Sequence, residues 1–141
     1  YTVLDTLSLH DALPICIPKL KAGLGEAMGM VFEANGHETV YVAGDTIWRP
    51  EVDQAIQSFK PDVIVLNTGN ALVDGFKESI IMGKEDTYHA TQKAPNAKVV
   101  AVHMDAINHM SVTRAELAEY VKDKGIQDKV LIPIDGETLS F

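Results

Sequence analysis

TVYVAGDTIW, residues 39–48, runs from strand-like to turn-like sequence and sets the fold class. Thr39 to Ala43 is a β-branched run suited to a buried strand, and Gly44-Asp45-Thr46 breaks it. Just upstream, Gly29 to Glu33 is a second short apolar run. Between the two lies Ala34-Asn35-Gly36-His37-Glu38, whose Asn-Gly pair tolerates positive φ, so a hairpin is predicted there. Downstream, Pro50 suits the first turn of a helix in which Val52, Ala55, Ile56 and Phe59 recur at helical spacing; Lys60-Pro61 ends it. DVIVLN, residues 62–67, is the nearly all-apolar kind of strand that is buried on both faces, and residues 68–75 form a loop.

The alternation continues to the end of the chain. Gly83 to Lys93 reads as a helix whose early Glu85 and Asp86 complement its N-terminus. Lys98 to Val102 is another buried strand, running straight into His103. Thr113 caps a helix containing Ala115, Leu117, Ala118 and Val121, with Glu116 completing a capping box and Lys124-Gly125 closing it. Lys129 to Ile134 is predicted as a last strand before the Asp135-Gly136 turn. Strands alternating with helices give an α/β class with largely parallel pairing. There is no internal repeat and no domain-length linker.

Composition narrows the function classes. Of 141 residues, 46% are hydrophobic and 23% charged, as in an ordinary globular domain. A net charge of −8 without a local Lys/Arg stripe repels a polyphosphate, so nucleic acid is not the expected partner. No apolar run approaches roughly 18 residues, so no membrane partner is expected. The lone Cys16 makes no internal disulfide and leans toward a reducing, cytoplasmic compartment.

The opening, Tyr1 to Ile15 (YTVLDTLSLHDALPI), lacks the parts of a secretory signal. Thr6 to Ile15 closely resembles the translation of a widely used sequencing-library adapter. Residues 1–15 are therefore expected to be a non-native segment fused in frame to a truncated domain, residues 16–141. On this reading His10 and Asp11 carry no function.

Two features could carry chemistry, and each stands where a strand gives way to loop, the usual place for ligand sites in open α/β sheets. In Gly44-Asp45-Thr46-Ile47-Trp48, Asp45 offers an ionised oxygen of the type a divalent cation takes. In Val102-His103-Met104-Asp105, His103 offers the commonest side-chain metal ligand, with a carboxylate nearby that could orient its ring. Thr46, Trp48, Asp105, His109 and the strand-end residues Asn67, Thr68 and Gly69 are candidates for the pocket or its supporting shell. His37, in the hairpin turn, reads as solvated, and His89 as exposed or packing.

Taken in order, VYVAGDTIW, then DVIVLNTG, then VVAVHMDAINH resembles the C-terminal half of the metallo-β-lactamase superfamily, in its lactonase-like hydrolase branch. The resemblance covers about Gly23 to Phe141. It implies half of an αββα sandwich around one or two Zn²⁺ (Mn²⁺ or Fe in some members), with Asp45 as the metal-bridging Asp and His103 as the last metal-binding His. It implies a reaction in which metal-activated water attacks an ester, lactone, amide or phosphoester. The family's His-x-His-x-Asp-His motif is absent, and Ile17 to Gly29 contains no His. Two ligands thus remain where a dinuclear site needs about six, so this chain is expected to be inactive alone. The sheet face that would meet the missing half is expected to favour self-association. The competing reading is a non-catalytic α/β binding module of flavodoxin- or receiver-like type using Asp45.

Overall fold

The computed structural model describes residues 2–3, 28–73 and 78–141. Most of the adapter-like segment, Cys16 and the stretch from Ile17 to Ala27 lie outside the described residues. In chain order the elements are β1 (Thr2–Val3), β2 (Met30–Glu33), β3 (Val40–Val42), α1 (Pro50–Phe59), β4 (Val63–Asn67), α2 (Lys84–Lys93), β5 (Lys98–Val102), α3 (Arg114–Asp123) and β6 (Val130–Leu131).

They form one six-stranded sheet in the sequential order β1-β2-β3-β4-β5-β6. The β2–β3 hairpin is antiparallel, with Val31 opposite Tyr41, and β1 adds antiparallel to β2. From β3 to β6 every pairing is parallel. Three successive right-handed crossovers stepping the same way along a sheet put α1, α2 and α3 on one face.

That arrangement makes the two faces of the sheet unequal. Along one face run Val31, Tyr41, Ile64, Val99 and Val130, all buried and directly paired across the strands. Val52 and Ile56 of α1, Ala90 of α2, and Leu117 and Val121 of α3 join this row in a single core. Side chains alternate along a strand, so Met30, Val42, Val65, Val100 and Leu131 form the parallel row on the other face. Val100 is buried there, but Met30 is 37% exposed and Val42, Val65 and Leu131 are only half-buried.

Helix boundaries follow local chemistry. Pro50 begins α1, where its missing N–H costs nothing, and Lys60 ends it at φ 45° with its N–H donating to Ile56 O at 2.9 Å. At α2 the Asp86 carboxylate accepts from Gly83 N at 2.9 Å. Burial raises the Asp86 pKa, and that same hydrogen bond partly opposes the rise. At α3 the Thr113 hydroxyl accepts from Glu116 N at 3.2 Å, while Thr113 N donates to the Glu116 carboxylate at 2.8 Å.

The predicted last strand is shorter than its sequence suggests, Val130–Leu131 rather than residues 129–134. Pro133 has no N–H for a ladder, and its carbonyl instead accepts from Arg114 Nε at 3.1 Å. The predicted hairpin, the three helices and the strands over residues 62–67 and 98–102 are present within a residue or so of the expected bounds.

The α3 cap gives a stability prediction. Thr113→Ala should cost about 1 kcal/mol in chemical denaturation at neutral pH. The Thr113 backbone and side-chain hydrogen bonds lower the Glu116 pKa below its ordinary 4.5. The stabilisation is therefore fully present above that value and lost as pH falls through the lowered folded-state value. The gap between parent and variant should narrow in acid.

Candidate functional site

Parallel strands β3, β4 and β5 end at the same edge of the sheet, and each delivers one polar side chain there. After β3, Ala43 N still donates to Val65 O at 3.0 Å, but Gly44 then turns out of the ladder at φ 73°. A side chain at Gly44 would be strained by that φ and would crowd Met28 O at 3.0 Å. The turn leaves the Asp45 side chain 64% exposed, open to an ion from solvent. Asn67 closes β4, and its Nδ2 donates to Asp45 Oδ1 at 2.6 Å. His103 follows β5 directly, and its Nε2 stands 3.9 Å from the same Asp45 oxygen. The two residues expected to be metal ligands are thus neighbours, with Asn67 joining them.

His103 and Asp105 both adopt left-handed backbone, at φ 61° and 57°, on either side of the fully buried Met104. His and Asp tolerate this region better than most residues. Arg114, which no sequence reading singled out, ties the turn down. Its Nη1 donates to Asp105 Oδ2 at 3.1 Å, its backbone N to the same oxygen at 3.2 Å, and its Nη2 to Asp135 Oδ1. With the Pro133 carbonyl also held, one guanidinium joins the turn after β5 to the C-terminal tail.

The other candidates divide by role. Thr68 is fully buried, and its N and Oγ1 both donate to Val102 O, at 2.9 and 3.3 Å; it ties β4 to β5 rather than facing a pocket. Thr46 is likewise fully buried, with Oγ1 donating to Ile47 O at 3.1 Å. Trp48 turns into the helix layer instead of walling Asp45. Its Nε1 donates to Asp53 Oδ2 at 3.3 Å and its ring meets the His89 ring edge-on at 4.5 Å. That contact also gives His89 its packing role. Asp105 serves the Arg114 clamp. His37 is exposed in the hairpin turn.

Gly69 and His109 belong to a loop pair that the sequence did not reveal. Ser111 N and Val112 N both donate to Gly69 O at 3.0 Å, and Leu72 N donates to His109 O at 2.9 Å. Asn70 Nδ2 donates to Ser111 Oγ at 2.6 Å, and that hydroxyl donates back to Asn70 O at 2.7 Å. A side chain on Gly69 would collide with the His103 carbonyl and the Met110 sulfur. The segment after β4 therefore lies directly against the segment after β5. Partners 41 residues apart leave no local signal in a sequence.

Among the described residues no three His, Cys, Asp or Glu side chains cluster as a metal-holding group. Also among them, no helix is long and apolar enough to cross a membrane. Gly69→Ala should destabilise the fold by about 1–3 kcal/mol through overpacking. It should also move the His103 and Met110 amide resonances in ¹H–¹⁵N spectra more than those of α1.

Comparison with known proteins names this architecture. No family model matches the chain. It is 41% identical over 119 residues to the UPF0173 protein YddR of Bacillus subtilis strain 168, covering 84% of this chain and 46% of YddR. It superposes with a TM-score of 0.85 on a possible metal-dependent hydrolase from Veillonella parvula DSM 2008, at 43% identity over 88% of this chain and 47% of that one. For an isothiocyanate hydrolase from Delia radicum gut bacteria the TM-score is 0.84, with 48% identity and the same coverage of 88% and 47%. The metallo-β-lactamase-fold protein YhfI from Bacillus subtilis shares the fold alone, at 14% identity and a TM-score of 0.57, over 80% of this chain and 43% of YhfI. The chain spans about half the length of each of these relatives, which is consistent with the C-terminal half read from the sequence. The helix-covered sheet, with Asp45 and His103 at its strand ends, is thus similar to about half of a metal-dependent hydrolase and has the metallo-β-lactamase fold.

Proposed function

We propose that this chain supplies one half of a metal-dependent hydrolase centre, with Asp45 and His103 as two of its metal ligands. The observation that carries the reading is the 3.9 Å approach of His103 Nε2 to Asp45 Oδ1 at the common end of three parallel strands. Both donors suit a divalent cation such as Zn²⁺, with Mn²⁺ or Fe as alternatives. Two ligand atoms on one tetrahedral Zn²⁺ lie roughly 3.4 Å apart, so a small side-chain rotation brings this pair into range. Asn67 holds the Asp45 carboxylate in place by its 2.6 Å hydrogen bond, as a supporting partner should.

A divalent cation in such a site lowers the pKa of a bound water and stabilises the oxyanion that forms as the water attacks. Two ligands fall short of the three or four that firm Zn²⁺ binding requires. On this reading the remaining ligands come from a segment other than residues 28–73 and 78–141, and without it the centre is inactive. The substrate is a small molecule with an electrophilic centre: an ester, lactone, amide or phosphoester. The similarity to an isothiocyanate hydrolase adds an isothiocyanate to the compounds worth testing first. A cytoplasmic setting suits the lone Cys16. Nucleic acid is not a partner on this reading.

Calorimetric titration with Zn²⁺ should find at most weak binding, abolished in Asp45→Asn and in His103→Ala. Tight uptake of two Zn²⁺ per chain would contradict the ligand count. Recovery of the upstream reading frame from the source genome should reveal His-x-His-x-Asp-His, and a frame without it would defeat the hydrolase reading.

We also propose that the partly open sheet face drives self-association of the chain. Analytical ultracentrifugation should show a concentration-dependent dimer or larger species, weakened in Val65→Lys. A monomer at all concentrations would rule this out.

A further inference from the structure

Beside the Asp45–His103 pair, the loops after β4 and β5 flank an open cleft of about 570 Å³, lined among the described residues by Leu72, Val73, Asn108, His109, Met110 and Ser111. Its size lies in the range of small-molecule sites, roughly 300–1,000 Å³. Neither Asp45 nor His103 lines it. A second cleft, of about 440 Å³, lies at the opposite sheet edge beside Lys60, Asp62 and Lys93, away from the strand ends that carry the candidate ligands.

Three observations give the first cleft a role. Its walls are the continuations of the two strands that deliver Asn67 and His103, so it adjoins the candidate centre by construction. Those walls are fixed to each other before any ligand arrives, through the Leu72–His109 and Asn70–Ser111 hydrogen bonds, the Ala71–Met110 bridge and the Gly69 contact with His103. Finally, its described lining contains no Lys, Arg, Asp or Glu. Leu72, Val73 and Met110 offer an apolar surface, while Asn108, His109 and Ser111 offer hydrogen bonds. Leu72 at 37% and Ile107 at 47% are among the few large hydrophobic side chains left exposed, and both belong to these loops.

We propose that this cleft is the specificity pocket of the enzyme, taking an uncharged substituent with an apolar body and one hydrogen-bonding group. The proposal rests on the hydrolase reading for the word "specificity", but the binding itself needs no metal. An anionic substituent finds no cation in the described lining and meets a chain of net charge −8. Among the described lining residues a charged group of either sign finds no ionic partner.

Benzamide and benzoate are suitable probes, because they share a ring and differ in charge. ¹H–¹⁵N spectra of the full chain should show saturable benzamide shifts centred on the amides of Leu72, His109 and Ser111. Benzoate should bind at least tenfold more weakly. Leu72→Glu should weaken benzamide at least tenfold; its backbone hydrogen bond to His109 is kept, and the spectrum reports whether the fold is intact. His109→Ala, at an exposed position, should weaken it several-fold and covers the case in which Leu72→Glu unfolds. Benzamide affinity should be the same in Zn²⁺ and in EDTA, which separates failure of the pocket from failure of the metal reading. Equal binding of benzoate, shifts centred elsewhere, or no effect of either pocket variant would overturn the proposal.

Discussion

Five parallel partners, from Val63–Lys98 to Asn67–Val102, join β4 to β5, and Thr68 N extends the ladder by one more bond to Val102 O. A parallel ladder fixes where both strands stop relative to one another. Because β3 pairs in parallel with β4 as well, the stopping point of three strands is set by one register. Slipping any of them by one residue would exchange its buried and open faces. Asp45, Asn67 and His103 meet only because that register holds.

What happens beyond the ladder is costlier to arrange. Gly44, Asn70, His103 and Asp105 all adopt positive φ at this edge, whereas most residues avoid it. Such positions persist when the surroundings over-determine them, and they gather at functional sites. Here the surroundings are identifiable. Met104 is anchored in the core, the Gly69 backbone lies against the His103 carbonyl, and Arg114 holds Asp105 from two directions. The site's geometry is therefore maintained by residues that carry none of its chemistry.

This division explains how much of the molecule was legible in the sequence. Strand and helix periodicity is local, so the hairpin, α1, the capping box of α3 and the two central strands could be read from neighbouring residues. Asp45 and His103 stand out because each follows a strand end, but their pairing as candidate ligands rests on the family resemblance of the two motifs together. The β6 strand was overextended because apolar content outweighed Pro133, whose missing N–H decides the matter. For Trp48 the sequence leaves two readings, pocket wall beside Asp45 or core packing; the indole packs against the core, with its N–H on Asp53 of α1. The Arg114 clamp, the Asn70–Ser111 pair and the cleft beside them depend on long-range contacts, which periodicity does not encode.

The two faces of the sheet bear on the same question as the ligand count. The three described helices cover one face; on the other, Val63 and Val100 are buried while Met30, Val42, Val65 and Leu131 stay partly in water. Alternation along β4 puts Asn67 on the side of Val63 and Val65, the face away from the three described helices. The hydrogen bond from Asn67 then draws Asp45 toward that side as well. On the proposed reading, whatever completes a metal site at Asp45 approaches from that face, because the opposite one is filled by the helix-covered core. On the same reading, one layer packed on that face would supply both the further ligands and an apolar cover for Met30, Val42, Val65 and Leu131.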